Sequence, residues 1–384
     1  MSAARAVRLT ISARSEILCR VLLASILYLI AASSTTNTFV QRWGLGVRIE
    51  QMLNNDAPRP FAYRVLSPAV IRFVAERLPP GVVSRLLDAE NAAGLSPVER
   101  WRSHYRTDRP GFGKEVSRSD QVAFLVCYAY IFLVLFLFAI AMRFLIGNCV
   151  RGSPLLLDIA PSLMLLVLPL AYTKGGYIYD FPELLFAALA TLSFLRRWWV
   201  AYYVIFALAI INKESAVLFA AWVPARFLLD RDREALLKHL ALHAMVAIPC
   251  IVSIHTAFAH KPSVGIFEPM SHLAHLSSPE SWLSFHGMYL PSFPMVPGPL
   301  NVAVLAAVIW LTASRHARED RELFLLYIAS LLVIGALFLT SGFEDEIRVF
   351  GLIFPVMFTL ATRSILARSE EPAMATQRIK GDSR

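Results

Sequence analysis

The sequence is poor in charge and in cysteine. Asp, Glu, Lys and Arg make up 17% of its 384 residues, where ordinary globular domains carry about 25%. Disordered chains combine high charge with low hydrophobicity, so that class is excluded. The 4 cysteines, Cys19, Cys127, Cys149 and Cys250, stand in or beside apolar stretches without a C-x-x-C pair. A disulfide scaffold and a thiolate metal site are therefore not expected. There is no internal repeat, no low-complexity segment and no nucleotide-cradling glycine loop; Gly175-Gly176 is too short for that task and reads as a turn. What is abundant is apolar side chain, 57% of residues. Lys and Arg (37) outnumber Asp and Glu (28). Such an excess would suit nucleic acid, but these basic residues are scattered between long apolar runs, where membrane insertion uses them as orientation marks. The class expected is an all-α polytopic integral membrane protein with no nucleic-acid partner.

About 20 apolar residues cross a hydrocarbon core. Stretches of that kind lie near 17–39, 121–146, 154–172, 181–195, 198–211, 215–229, 236–258, 299–313, 322–340 and 347–363, so about ten spans are expected. The first follows Arg5, Arg8, Arg14 and Arg20 without a convincing cleavage site, and reads as a retained helix. Asn212-Lys213-Glu214 separates two spans, because three polar residues at mid-bilayer would cost several kcal/mol. With about ten alternating helices, the short connections bearing Arg143 and Arg151, Arg196 and Arg197, Arg226 to Lys238, and Arg315 to Arg321 share one side with both termini. The positive-inside rule makes that side cytoplasmic. Two large outer loops follow, near 40–120 and 259–298. Residues 1–366 are expected to form one transmembrane domain, and 367–384 a disordered cytoplasmic tail. Within the first loop, Ser67-Pro68 reads as an N-cap with proline at the first helical position, and Pro79-Pro80 as the stop. Val70, Ile71, Val74 and Leu78 share one face between them, which suggests a short helix on the membrane surface. A second, weaker helix is expected near 82–93.

The stretch Pro60-Phe61-Ala62-Tyr63-Arg64-Val65-Leu66-Ser67-Pro68 after the first helix resembles a group of bacterial polytopic proteins that look like membrane glycosyltransferases of the GT-C fold. The resemblance extends over roughly 40–220, through Tyr179-Asp180-Phe181-Pro182-Glu183 and Asn212-Lys213-Glu214-Ser215. It implies a GT-C-like transmembrane domain in the inner membrane that moves a sugar from a polyprenyl-phosphate donor to a glycan or lipid acceptor, outside the cytoplasm. The sequence departs from that pattern in one place. Such transferases carry an acidic residue just after the first helix, whereas here the stretch reads Thr35-Thr36-Asn37-Thr38-Phe39, and the nearest acids are Glu50 and Asp56.

Transfer from a lipid phosphate needs a carboxylate to take the acceptor's proton and cations to hold the leaving phosphate. Asp180, at a helix entrance between Tyr179 and Phe181 with Glu183 one turn on, is the base candidate; the alternative is that it caps the helix. Arg64 with its neighbour Tyr63, Lys174, Lys213 with Glu214, and Arg348 are the substrate and phosphate candidates. Each cation could instead snorkel or pair with a nearby acid. Tyr172, Tyr177 and Tyr179 suit a sugar face or an interfacial belt equally. His272 and His275 have a spacing two metal ligands could use, and Glu344-Asp345-Glu346 could hold a divalent cation, but solvated loops explain both. No cofactor is expected, with a divalent metal the lesser option. The competing functions are a transporter or flippase for a lipid-linked or anionic solute, which should show repeats and broken helices at mid-membrane, and a non-enzymatic envelope-assembly partner.

Overall fold

A computed structural model describes residues 3–40, 49–92, 118–172, 176–227, 230–263, 271–283, 285–290, 293–297, 299–341 and 347–381. They are overwhelmingly helical. The elements are α1 (Ala3–Val40), α2 (Ile49–Leu53), α3 (Leu66–Arg77), α4 (Pro80–Ala92), α5 (Arg118–Cys149), α6 (Pro154–Ala171), α7 (Asp180–Leu195) and α8 (Trp199–Asn212). There follow α9 (Trp222–Phe227), α10 (Arg233–Ala257), α11 (Ser271–Ser277), α12 (Pro279–Leu283), α13 (Leu300–Thr312), α14 (Arg315–Arg318), α15 (Arg321–Ser341) and α16 (Phe354–Gly381). Three 3₁₀ segments, Phe61–Tyr63, Glu214–Ala221 and Ile347–Leu352, break the chain near its polar motifs. The all-α expectation needs one amendment: β1 (Phe285–Leu290) and β2 (Phe293–Pro297) form an antiparallel hairpin in the second large loop.

Five helices are long and apolar enough to cross a membrane, over Ser15–Phe39, Gln121–Cys149, Pro154–Ala171, Arg233–Ala257 and Arg321–Thr340. They mark a membrane protein. The other stretches expected to span are shorter or broken: α7 has 16 residues, α8 has 14 and α13 has 13. Residues 215–229 and 347–363 each begin as 3₁₀ helix, not as one continuous α-helix.

α7 sits at the centre, packed by α5, α8, α16 and the 3₁₀ segment Ile347–Leu352. Its Ala187, Ala188 and Ala190 are fully buried, and such small residues let helix backbones approach closely. α5 offers a seam of Cys127, Ile131, Leu135, Phe138, Met142 and Leu145, all buried, at the three-to-four residue spacing of one helix face. α1 lies against α5 and α6. Thr35, buried on α1, spends its hydroxyl on the Leu165 carbonyl of α6 at 2.8 Å.

Basic short connections gather at one end of the bundle. Arg197 after α7, Arg226 in α9 and Arg321 at the start of α15 line one cavity of about 230 Å³. Arg363 donates to the carbonyls of Cys149 at 2.8 Å and His316 at 3.0 Å. The opposite end carries α3, the start of α7 and the end of α8.

One local expectation is corrected. Ser67 does not cap α3: the helix begins at Leu66 after Val65, without a side-chain cap, because the Ser67 hydroxyl is taken by partners outside the helix. Beyond residue 366, where the sequence reading placed a tail, the described residues run on in α16 as far as Gly381.

Candidate functional site at the α7 entrance

α8 stops at Asn212, where Lys213 turns extended (φ −159°, ψ 119°) before the 3₁₀ segment from Glu214. That turn aims the Lys213 side chain at the first turn of α7. Its Nζ donates to Glu183 Oε2 at 2.6 Å and to Asp180 Oδ1 at 3.0 Å. Asp180 and Glu183 are 1% and 2% exposed. Two buried carboxylates in one helical turn would repel strongly. The positive end of the α7 dipole and the lysine between them compensate that charge. Burial alone would pull the Lys213 pKa down, but the adjacent Asp180 and Glu183 carboxylates outweigh it and raise it above the ordinary lysine value.

Asp180 accepts a second bond, from the Tyr177 backbone N–H to Oδ2 at 3.0 Å. It is therefore not a conventional cap: it is the first residue of α7, and it ties down the loop ahead of the helix. Arg348 approaches the same Oδ2 at 3.9 Å, with its guanidinium 4.3 Å from the Tyr177 ring. Glu183 also accepts from Ser215 Oγ at 3.2 Å. Gly351 passes so close that a Cβ there would stand 3.1 Å from Glu183 Oε2 and from the Tyr172 hydroxyl. That hydroxyl is buried and has no hydrogen-bond partner among the described residues.

The first loop docks onto this cluster. Arg64 pairs with Glu214 and lies 5.3 Å from the Tyr179 ring. Ser67 Oγ donates to Asn212 Oδ1 at 2.7 Å and meets the Tyr130 hydroxyl at 3.1 Å. Asn212 Nδ2 in turn donates to the Tyr179 carbonyl at 2.7 Å. One fully buried amide thus joins α3, α8 and the entrance of α7. The start of the second large loop arrives at the same end: Lys261 Nζ reaches the Asn55 carbonyl at 2.5 Å, and Arg59 N–H donates to the Pro262 carbonyl at 2.8 Å. Beside Arg64 lies a cavity of about 70 Å³, room for water but not for a sugar ring.

Of the residues singled out from the sequence, Asp180, Glu183, Lys213, Glu214, Arg64 and Arg348 converge here. Tyr63 does not; its ring stacks on His255 at 4.1 Å. Lys174 and Glu344-Asp345-Glu346 lie outside the described residues, as do Glu50's side chain and that of His272. Asp56 stands off from the cluster with Lys261. His275 faces Ser281 at 3.2 Å. Among the described residues no group of three or more His, Cys, Asp and Glu could hold a metal ion. The sequence reading missed the parts played by Ser67, Asn212, Ser215 and Tyr130. Asn212 carried a signal, being an amide at the end of an otherwise apolar run; Tyr130, one aromatic among many, carried none. No family model, curated protein or solved structure matches the chain.

Proposed function

We propose that the protein is a membrane glycosyltransferase that takes a sugar from a polyprenyl-phosphate donor at the α7 entrance, on the extracytoplasmic side of a bacterial inner membrane. In this reading about ten helical passes, short ones included, alternate across the bilayer, and both termini are cytoplasmic. The observation that carries it is the meeting of Asp180, Glu183, Lys213, Arg64 and Arg348 from four separate segments of chain.

The ion pairs suggest how the chemistry is gated. With no donor, Lys213 and Arg348 are spent on Asp180. A donor phosphate competes for both cations, and arginine offers it a bidentate fork. Asp180 is then released to accept the proton of the acceptor hydroxyl while that oxygen bonds to the sugar's anomeric carbon. The bond from that carbon to the phosphate breaks, and polyprenyl phosphate leaves, held by Lys213, Arg348 and Arg64. The buried Tyr172 hydroxyl, without a partner among the described residues, is a donor available to the sugar or the phosphate.

A second reading rests on a different observation. The carboxylates of Asp180, Glu183 and Glu214 are matched by Arg64, Lys213 and Arg348, and the adjoining cavity is small. A closed, neutral clasp of that kind suits a non-enzymatic envelope-assembly partner. Asp180→Asn separates the two, since asparagine keeps the carbonyl that accepts from Tyr177 and removes the base. The expected result with a polyprenyl-phosphate sugar is loss of transfer with donor binding retained; transfer at the wild-type rate would refute the assignment of Asp180.

A further inference from the structure

At the opposite end of the bundle a second charged group sits in a different setting. Asp158, early in α6, accepts from Arg20 of α1 (Nη2 at 2.7 Å, Nε at 3.1 Å) and from Arg143 of α5 (Nε at 2.5 Å). Two guanidiniums on one carboxylate leave a net charge of +1. The carboxylate lies beneath at 11% exposure, with the Arg20 and Arg143 side chains at 32% and 28%. Their other guanidinium nitrogens find no acceptor among the described residues. Gly147 makes room for Arg143, since a Cβ there would stand 2.6 Å from Nη1.

These groups line a crevice of about 440 Å³ whose remaining walls include Ile17, Val21 and Phe144. Those three are 59%, 56% and 64% exposed, an apolar flank on helices long enough to cross a membrane. Arg20 precedes Phe39, which packs on Phe181 at the other site, by 19 residues of one continuous helix, about 28 Å along its axis. The crevice and the α7 entrance are therefore separated by about the thickness of a hydrocarbon core.

We propose that this crevice binds the phosphodiester headgroup of an anionic membrane phospholipid in the leaflet opposite the α7 entrance. One net positive charge answers the single negative charge of a phosphodiester. The spare guanidinium N–H groups supply charge-assisted hydrogen bonds at its oxygens, and the apolar flank takes the adjoining acyl chain. A soluble anion would gain nothing from that flank. A zwitterionic lipid brings a compensating cation against the arginines. The proposal is independent of what the α7 entrance does.

The test is lipid retention by the full chain, read by native mass spectrometry after exchange from nanodiscs of phosphatidylcholine mixed with phosphatidylglycerol. Wild type is expected to retain phosphatidylglycerol with a preference of about fivefold, the factor one net cation supplies beside an anionic surface. The triple variant Arg20→Gln, Arg143→Gln, Asp158→Asn removes the charges together and leaves no buried ion unpaired; it should lose the preference. Ala24→Trp, which fills the crevice and leaves both arginines in place, should lose it as well and serves if the triple variant does not fold. Lys261→Met, which removes a cation at the other end outside the α7 cluster, should keep it. An unchanged preference in the triple variant or in Ala24→Trp overturns the proposal. So does displacement of phosphatidylglycerol by millimolar inorganic phosphate, which would make the crevice a site for a soluble anion.

Discussion

Lys213→Met tests whether the cluster at the α7 entrance is an energetic unit. Lys213 is 13% exposed and lies 2.6 and 3.0 Å from carboxylates that are themselves almost wholly buried. Methionine preserves the length and apolar stem of the side chain, so the perturbation is the loss of one charge. Removing one member of a buried ion pair costs about 3–5 kcal/mol, because the partner is left buried and uncompensated. Here Arg348, 3.9 Å from Asp180, keeps part of the compensation, so the loss should fall at the lower end, about 3 kcal/mol. For 384 residues, an unfolding entropy of about 2.1 cal/mol/K per residue turns that into about 4 °C of melting temperature. Thermal unfolding of the detergent-purified protein, followed by tryptophan fluorescence, reads the shift. The sharper measurement is the double variant Lys213→Met, Glu183→Gln. It removes one anion with the cation and should recover about half of the loss, since Asp180 still has Arg348. If the double variant melts below the single one, or if Lys213→Met melts with wild type, the carboxylates are not held by Lys213 and the account of the cluster fails.

Further outcomes are expected from other parts of the structure. Ser67→Ala strips Asn212 Oδ1 of its donor and should cost about 1–3 kcal/mol, loosening α3 enough to speed proteolysis near residue 78; an unchanged cleavage rate would detach Ser67 from the docking of the first loop. Arg64→Ala should weaken binding of a polyprenyl-phosphate donor, and Arg64→Lys should restore it only in part if the contact is bidentate; full rescue by lysine would leave only a point charge. Because Lys213 is held above its ordinary pKa of 10.5, its contribution to stability is complete below that pH and lost only as pH rises through the raised value. Melting temperature should therefore show no Lys213-dependent fall between neutral pH and 10.5, and a wild-type-specific loss within that window, absent from Lys213→Met, would contradict the pairing. In a cysteine-free background, a thiol probe added from outside spheroplasts should label Asn54→Cys and spare Arg233→Cys; the reverse pattern would turn the α7 entrance toward the cytoplasm.

The sequence made the helical class legible because long apolar runs leave the backbone no other way to satisfy its polar groups in lipid. α3 and α4 were also legible, since Pro68 and Pro79-Pro80 punctuate them locally. Lys213 beside Glu214 stood out as two charges with little loop to hold them. What could not be read was pairing at a distance. Ser67 and Asn212 are 145 residues apart and Lys213 and Glu183 are 30 apart, and no spacing rule joins either pair. The same limit explains Ser67, whose local context is that of a cap while its tertiary partners claim the hydroxyl. It also explains Tyr63, at the end of the 3₁₀ segment Phe61–Tyr63, whose ring partner His255 is distant in sequence. Span continuity was only partly legible for another reason: hydropathy counts apolar residues, and Glu214–Ala221 is as apolar as a helix yet winds as 3₁₀.

The brevity of the central helices bears on the membrane itself. α7 and α8 contain 16 and 14 residues, so they reach only about 24 and 21 Å, whereas α1, α5 and α10 can traverse the full hydrocarbon thickness of about 30 Å. α7 is enclosed by its neighbours, but α8 turns Val200, Val204 and Leu208 outward; if α8 crosses the membrane as proposed, thinning of the bilayer beside it is one way to match its length, at a cost of a fraction of a kcal/mol for each ångström. Such thinning would draw the headgroup layer down in a local dimple toward Asn212 and Lys213, at the end of α8. Water and phosphate would then come to the charges, and the charges would not have to be lifted out of the oil. A long-chain lipid phosphate resting in that dimple would sit level with the entrance of α7, making the deformed bilayer one wall of the site.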